Sequence, residues 1–72
     1  MNYFEAGRLK DLARTNGITA DRTGLPPRQG ESLNRNTDCS VVVWLGGTDY
    51  EFQNAEEAHR WLTNLIQRRR NP

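Results

Sequence analysis

Cysteine and histidine are almost missing from this sequence. Cys39 is the one cysteine and His59 the one histidine among 72 residues. A lone cysteine excludes an intramolecular disulfide, and one cysteine with one histidine cannot form a structural zinc site of the Cys/His type. A chain of this length without such cross-links has a core that rarely contributes more than about 3–5 kcal/mol to folding. We therefore expect a single small domain at most, in a reducing cytoplasm.

Long apolar runs are also missing. The longest runs from Val41 to Leu45, which is far too short to span a bilayer. The opening residues, 1–5, lack the basic start and apolar stretch of a signal peptide. The sequence therefore predicts a soluble cytoplasmic protein with no membrane partner.

Motifs for catalysis are absent as well. His59 falls on the polar side of a predicted helix, and Cys39 and Ser40 begin a predicted strand without an activation motif. The pair Gly46-Gly47 lacks the pattern of a phosphate-binding loop. We expect no enzyme, cofactor, metal site or small-molecule substrate.

Charge is nearly balanced, with ten basic and nine acidic residues, and Lys10 is the one basic residue that is not arginine. Arginine suits paired hydrogen bonding to phosphate or carboxylate. The candidate contacts for nucleic acid or an acidic surface are the arginines near the end of the chain: Arg60, Arg68, Arg69 and Arg70. The alternative interpretation of the last three is a solubilising helix end that complements the helix dipole.

The first segment, residues 1–18, has the pattern of a short helix. Asn2 and Glu5 have the spacing of a capping box, and Asn16-Gly17 is a typical helix stop. Between these signals, apolar residues recur at helical spacing: Ala6, Leu9, Leu12 and Ala13. An isolated helix this short is marginal in water, so it needs a surface on which to pack.

The second segment, residues 19–38, has no apolar period. It contains Pro26-Pro27, Gly24 and Gly30, and has few residues to bury. Such a stretch is usually a functional loop or disordered, and we interpret it as a mobile linker.

The third segment, residues 39–70, predicts a ββα unit. The β-branched stretch Cys39–Leu45 and the alternating stretch Thr48–Phe52 flank Gly46-Gly47, which suits a two-residue hairpin turn. That register places Val43 opposite Tyr50 and Val41 opposite Phe52 on one face.

A helix should follow the hairpin, since Asn54 and Glu57 have capping-box spacing. Its apolar stripe should pack on the hairpin: Ala55, Ala58, Trp61, Leu62, Leu65 and Ile66. The expected fold class is α+β, a small antiparallel hairpin packed on one carboxy-terminal helix, with a short amino-terminal helix and a mobile linker.

Partner binding is the function that these elements favour. Val42 and Trp44 fall on the hairpin face turned away from the predicted carboxy-terminal helix. Either the first helix covers them or another molecule does. Tyr3 and Phe4, at the start of the first helix, are further candidate anchors, since aromatic residues are enriched in interface hot spots.

The opening Met1–Gly17, the arginine bias and the ββα unit over residues 41–70 together resemble small host-takeover proteins of bacteriophages. In particular, the chain is similar to the RNA-polymerase-binding regulators of Xanthomonas phages, which inhibit transcription initiation and prevent termination. The resemblance implies binding near the RNA exit channel of bacterial RNA polymerase, with σ factor displaced and arginines close to nascent RNA. Two alternatives are a small nucleic-acid-binding protein and an anti-defence inhibitor of another bacterial complex.

Overall fold

The first helix, α1, spans Tyr3–Thr15 and begins at the capping box that the sequence predicts. In a computed structural model that describes residues 1–30 and 37–70, Asn2 Oδ1 accepts a hydrogen bond from the Glu5 amide at 2.8 Å. The Glu5 carboxylate accepts one from the Asn2 amide at 3.0 Å. At the other end, the Ile18 amide donates to the Ala13 carbonyl, which folds the buried Ile18 side chain back toward the helix.

A strand, β1, follows at Thr19–Thr23 and pairs antiparallel with β2, Ser40–Leu45. The prediction of a mobile linker over residues 19–38 was therefore wrong for Thr19–Thr23. These five residues are mostly polar because one side of the strand is exposed, and the buried Ala20 is too small to produce an apolar signal. Residues 31–36 of that segment lie outside the described residues.

The predicted hairpin is confirmed, with β3 at Thr48–Phe52. Val43 lies opposite Tyr50 and Val41 opposite Phe52, which is the predicted register. Gly46 and Gly47 have φ of 59° and 80°, so both central residues of the turn occupy the left-handed region that glycine adopts without strain.

The second helix, α2, spans Ala55–Arg70. Asn54 Oδ1 accepts a hydrogen bond from the Glu57 amide at 3.0 Å, as the predicted cap requires. The apolar stripe faces inward, with Ala58, Leu62 and Ile66 buried.

The sheet has the order β1-β2-β3, and both helices pack on one of its faces. One apolar cluster joins the sheet and the two helices: Leu9, Ala13, Ile18, Ala20, Val41, Val43, Ala58, Leu62 and Ile66. The fold is thus α+β, with an amino-terminal helix, a three-stranded antiparallel sheet and a carboxy-terminal helix in a small two-layer domain. The central strand β2 is buried on that face, and neither α1 nor α2 packs on the opposite face of the sheet.

Candidate protein-binding surface

The sheet face without helices is the candidate site, and we call it the open face. Side chains alternate across each strand, so every residue paired with Val42 or Trp44 points to the same side as they do. The open face comprises Thr19, Asp21, Thr23, Ser40, Val42, Trp44, Asp49 and Glu51. At one end of this face, the buried Ser40 hydroxyl shares a short hydrogen bond with the Thr23 hydroxyl.

Two cross-strand rows carry the apolar residues of the open face. In one, Val42 lies between Asp21 and Glu51, and in the next, Trp44 lies between Thr19 and Asp49. Directly opposed side chains on neighbouring strands are separated by about 5 Å between their Cβ atoms. Two apolar residues are therefore bordered by three carboxylates, with no Lys or Arg among the described residues of this face.

Trp44 is 42% exposed, and Val42 is half-buried. The sequence left open whether α1 covers these two residues. It does not, because α1 packs on β1, β2 and α2 from the opposite side of the sheet. Tryptophan is enriched among interface hot spots, so Trp44 is the candidate anchor of this face.

Tyr3 and Phe4 lie apart from the open face, on the helical layer at the β1 edge. Arg22 holds Tyr3 in this position. Its guanidinium carbon lies 3.7 Å from the centre of the Tyr3 ring, and its Nη1 donates to the Tyr3 carbonyl at 3.4 Å. The Phe4 ring meets the Tyr3 ring edge-on at 6.1 Å and remains 47% exposed. The structure therefore brings Val42 and Trp44 together but places Tyr3 and Phe4 on a different surface.

The candidate arginines all belong to α2 and are exposed. Arg70 Nη2 donates to Asn16 Oδ1 at 3.5 Å, which ties the end of α2 to the end of α1. Within residues 1–30 and 37–70, none of Arg60, Arg68 and Arg69 forms an ion pair. They are available to an anionic partner, and they lie on the helical layer away from the open face.

The cysteine and the histidine differ in their exposure. Cys39 is buried, with its Sγ 4.0 Å from the Leu25 carbonyl, whereas His59 is exposed on α2. Over the described ranges, no group of three or more His, Cys, Asp or Glu side chains is placed to hold a metal ion.

Sequence reasoning missed Asp21, which contributes one of the three carboxylates of the open face. Its position depends on the pairing of β1 with β2, and the sequence of β1 gives no strand signal. Asp49 and Glu51, in contrast, follow from the predicted hairpin register, which the structure confirms by pairing them with Trp44 and Val42.

Comparison with known proteins gives no relative, since no family model, curated protein or solved structure matches the chain. Neither helix in the described part of the chain has the length and apolar character needed to cross a membrane.

Proposed function

We propose that this chain is a non-enzymatic protein-binding regulator that docks through the open face of its sheet. The observation that carries the proposal is Trp44, exposed on the central strand of a sheet face that neither helix covers. Tryptophan supplies a large contact area, and residues of this type dominate binding energy at interfaces.

Charge indicates the kind of partner. Asp21, Asp49 and Glu51 border the apolar pair, so a phosphate backbone would be repelled from this face. A protein surface that presents Lys or Arg around an apolar side chain would be complementary in charge. A cation could also stack on the exposed Trp44 ring.

Bacterial RNA polymerase is the partner that we propose, on the resemblance to small phage proteins that bind this enzyme. Binding there would alter initiation and termination of transcription, in the cytoplasm of the bacterial host. The opening helix, the arginine bias and the ββα unit support this choice of partner. The exposed Trp44 supports the open face as the docking surface.

The test measures binding of purified bacterial RNA polymerase to the immobilised chain. Trp44→Ala should weaken binding by about thirtyfold, as expected for a hot-spot residue. It should lower the free energy of unfolding by about 1–2 kcal/mol, because Trp44 is 42% exposed and the rest of its surface is covered in the folded chain. Val43→Ala, at the buried position next to it, should cost about 2 kcal/mol of stability.

Phe4→Ala is the matched control, since Phe4 is as exposed as Trp44 but lies on the helical layer. This variant should bind as the unmodified chain does. Binding that survives Trp44→Ala but is lost with Phe4→Ala would refute the open face as the docking surface. Failure of the unmodified chain to bind polymerase would refute the partner and favour another bacterial complex.

Nucleic-acid binding is the second candidate, and the exposed arginines of α2 without ion pairs favour it. The test is fluorescence anisotropy with a labelled single-stranded RNA. If three arginines contact phosphates, the logarithm of the binding constant should fall with the logarithm of salt concentration at a slope of about −2. Replacing Arg68, Arg69 and Arg70 with Gln should abolish that slope. An unchanged slope would assign these residues to a solubilising helix end.

A further inference from the structure

The two edges of the sheet differ in whether another strand can pair with them. In a two-residue hairpin, the residues that flank the turn form a hydrogen-bonded pair, which here is Leu45 with Thr48. Hydrogen-bonded and non-hydrogen-bonded pairs then alternate along β3, so the N–H and C=O groups of Tyr50 point toward β2. Those of Asp49 and Glu51 point away from the sheet.

The same alternation determines which peptide groups of β1 point away from the sheet. Because Val43 directs its peptide groups toward β3, its neighbours Val42 and Trp44 pair with β1, and the peptide groups of Ala20 and Arg22 point outward. Two of these outward groups already have partners. Arg14 Nε donates to the Ala20 carbonyl at 2.8 Å, and the Arg22 amide donates to Asp21 Oδ1 at 2.8 Å.

The β3 edge has no such cover. Within residues 1–30 and 37–70, nothing hydrogen-bonds the outward peptide groups of Asp49 and Glu51. An uncovered edge of this kind is a template for strand addition. The β1 edge is therefore partly blocked, by the side chains of Arg14 and Asp21, whereas the β3 edge is available.

A groove follows the available edge on its helical side. It measures about 340 Å³ and is lined by Leu45, Tyr50, Trp61, Asn64, Leu65 and Arg68. Tyr50 is 36% exposed, and its ring lies 5.0 Å from the Trp61 ring, so the groove has an aromatic wall beside β3. On the other side of the same edge lie the carboxylates of Asp49 and Glu51.

We propose that β3 receives an extended strand of a protein partner with the sequence pattern basic, apolar, basic. The two basic side chains would lie opposite Asp49 and Glu51 on the open face, and the apolar side chain between them would enter the groove beside Tyr50. This inference rests on the proposed function, since it names how the partner engages the surface around Trp44. Charge disfavours a second copy of the chain as occupant, because antiparallel pairing of two β3 strands would bring carboxylates together.

The test uses the full chain and a synthetic peptide, acetyl-Thr-Lys-Ile-Lys-Thr-amide, with amide hydrogen exchange read residue by residue. Addition of this strand should slow exchange of the Asp49 and Glu51 amides by about tenfold or more at saturation. The amides of Ala20 and Arg22 at the blocked edge should not change. A peptide with Glu in place of both Lys residues should give no protection.

Two variants separate backbone pairing from charge. Glu51→Pro removes the outward amide while sparing the bonds to β2, since proline is tolerated at a strand edge in this orientation. Glu51→Thr removes the charge but keeps the amide. The peptide should no longer protect the Asp49 amide in the proline variant. It should retain part of that protection in the threonine variant, which keeps the backbone amide and does not put the fold at risk.

The failure of this inference is distinguishable from failure of the proposed function. Unprotected Asp49 and Glu51 amides, whether or not the peptide binds, would overturn strand addition. Loss of polymerase binding in Trp44→Ala would still stand as support for the open face. Protection of both edges alike would also overturn the inference, because it would mean that β1 is not blocked.

Discussion

Arg22 departs from the usual distribution of charge in a small domain, because it lies on the sheet face that the helices cover. Its side chain runs out over α1, stacks on the Tyr3 ring and donates to the Tyr3 carbonyl. Gly7 makes this path possible. A Cβ on Gly7 would overlap with Arg22 Nη1.

Replacing Gly7 with Ala tests this contact. In an exposed helix interior, alanine stabilises by about 0.5–1 kcal/mol relative to glycine. Here Arg22 must move to admit the methyl group, and the lost cation–π contact with Tyr3 costs a similar amount. We expect the free energy of unfolding from urea titration to change by less than about 0.5 kcal/mol.

The matched background is Arg22→Ala, in which nothing opposes the new methyl group. There, Gly7→Ala should stabilise by the full increment of about 0.5–1 kcal/mol. Equal effects of Gly7→Ala in both backgrounds would mean that Arg22 and Gly7 do not interact.

The helices and the hairpin could be predicted at the level of elements, because each carries signals at several scales that agree. Capping residues, apolar spacing and a two-glycine turn identify α1, α2, β2 and β3, and the structure confirms them. The strand β1 carries none of these signals. It exists because β2 offers an edge and α1 offers a surface for Ala20, and both are contacts between distant parts of the chain.

Hydrogen exchange of β2 tests whether β1 is a stable element. The alternation of pairing directs the amides of Val42 and Trp44 toward β1 and those of Val41 and Val43 toward β3. We expect the Val42 amide to be protected to within about tenfold of the Val43 amide. Rapid exchange of Val42 and Trp44, with Val41 and Val43 still protected, would restore the interpretation of Thr19–Thr23 as a mobile segment.

The same distinction applies to the candidate site. Val42 and Trp44 could be placed on one face from the period of two in β2, and the structure places them there. Asp21 could not be added, and Tyr3 could not be assigned to Arg22, because both depend on tertiary pairing across 19 or more residues. Local sequence patterns carry no information on such contacts.

At the scale of the whole molecule, charge is divided between the two layers. The open face carries Asp21, Asp49 and Glu51, while Arg60, Arg68 and Arg69, without ion pairs to described residues, belong to α2 on the helical layer. A net charge of +1 conceals this division. The charge that favours a partner therefore depends on the layer to which the partner binds. Self-association through β3 depends on the carboxylates at its edge.

Removing those carboxylates should change the oligomeric state. Like charges placed opposite each other destabilise strand pairing, and charged residues on edge strands commonly prevent self-association. The double variant Asp49→Thr with Glu51→Thr keeps residues that favour strands and removes the repulsion between copies. We expect it to dimerise through β3 in sedimentation velocity experiments at concentrations where the unmodified chain stays monomeric.

Asp21→Thr is the control for that experiment, because it removes a carboxylate from the same face at the opposite edge. Its edge also has the Ala20 carbonyl occupied by Arg14, so this variant should remain monomeric. Dimerisation of Asp21→Thr to the same extent would mean that loss of acidic charge from the open face is sufficient and that the edge has no part in it. If the double variant is monomeric, something other than charge keeps β3 unpaired. Its outward peptide groups would have no hydrogen-bond partner, and no carboxylate would repel a second copy.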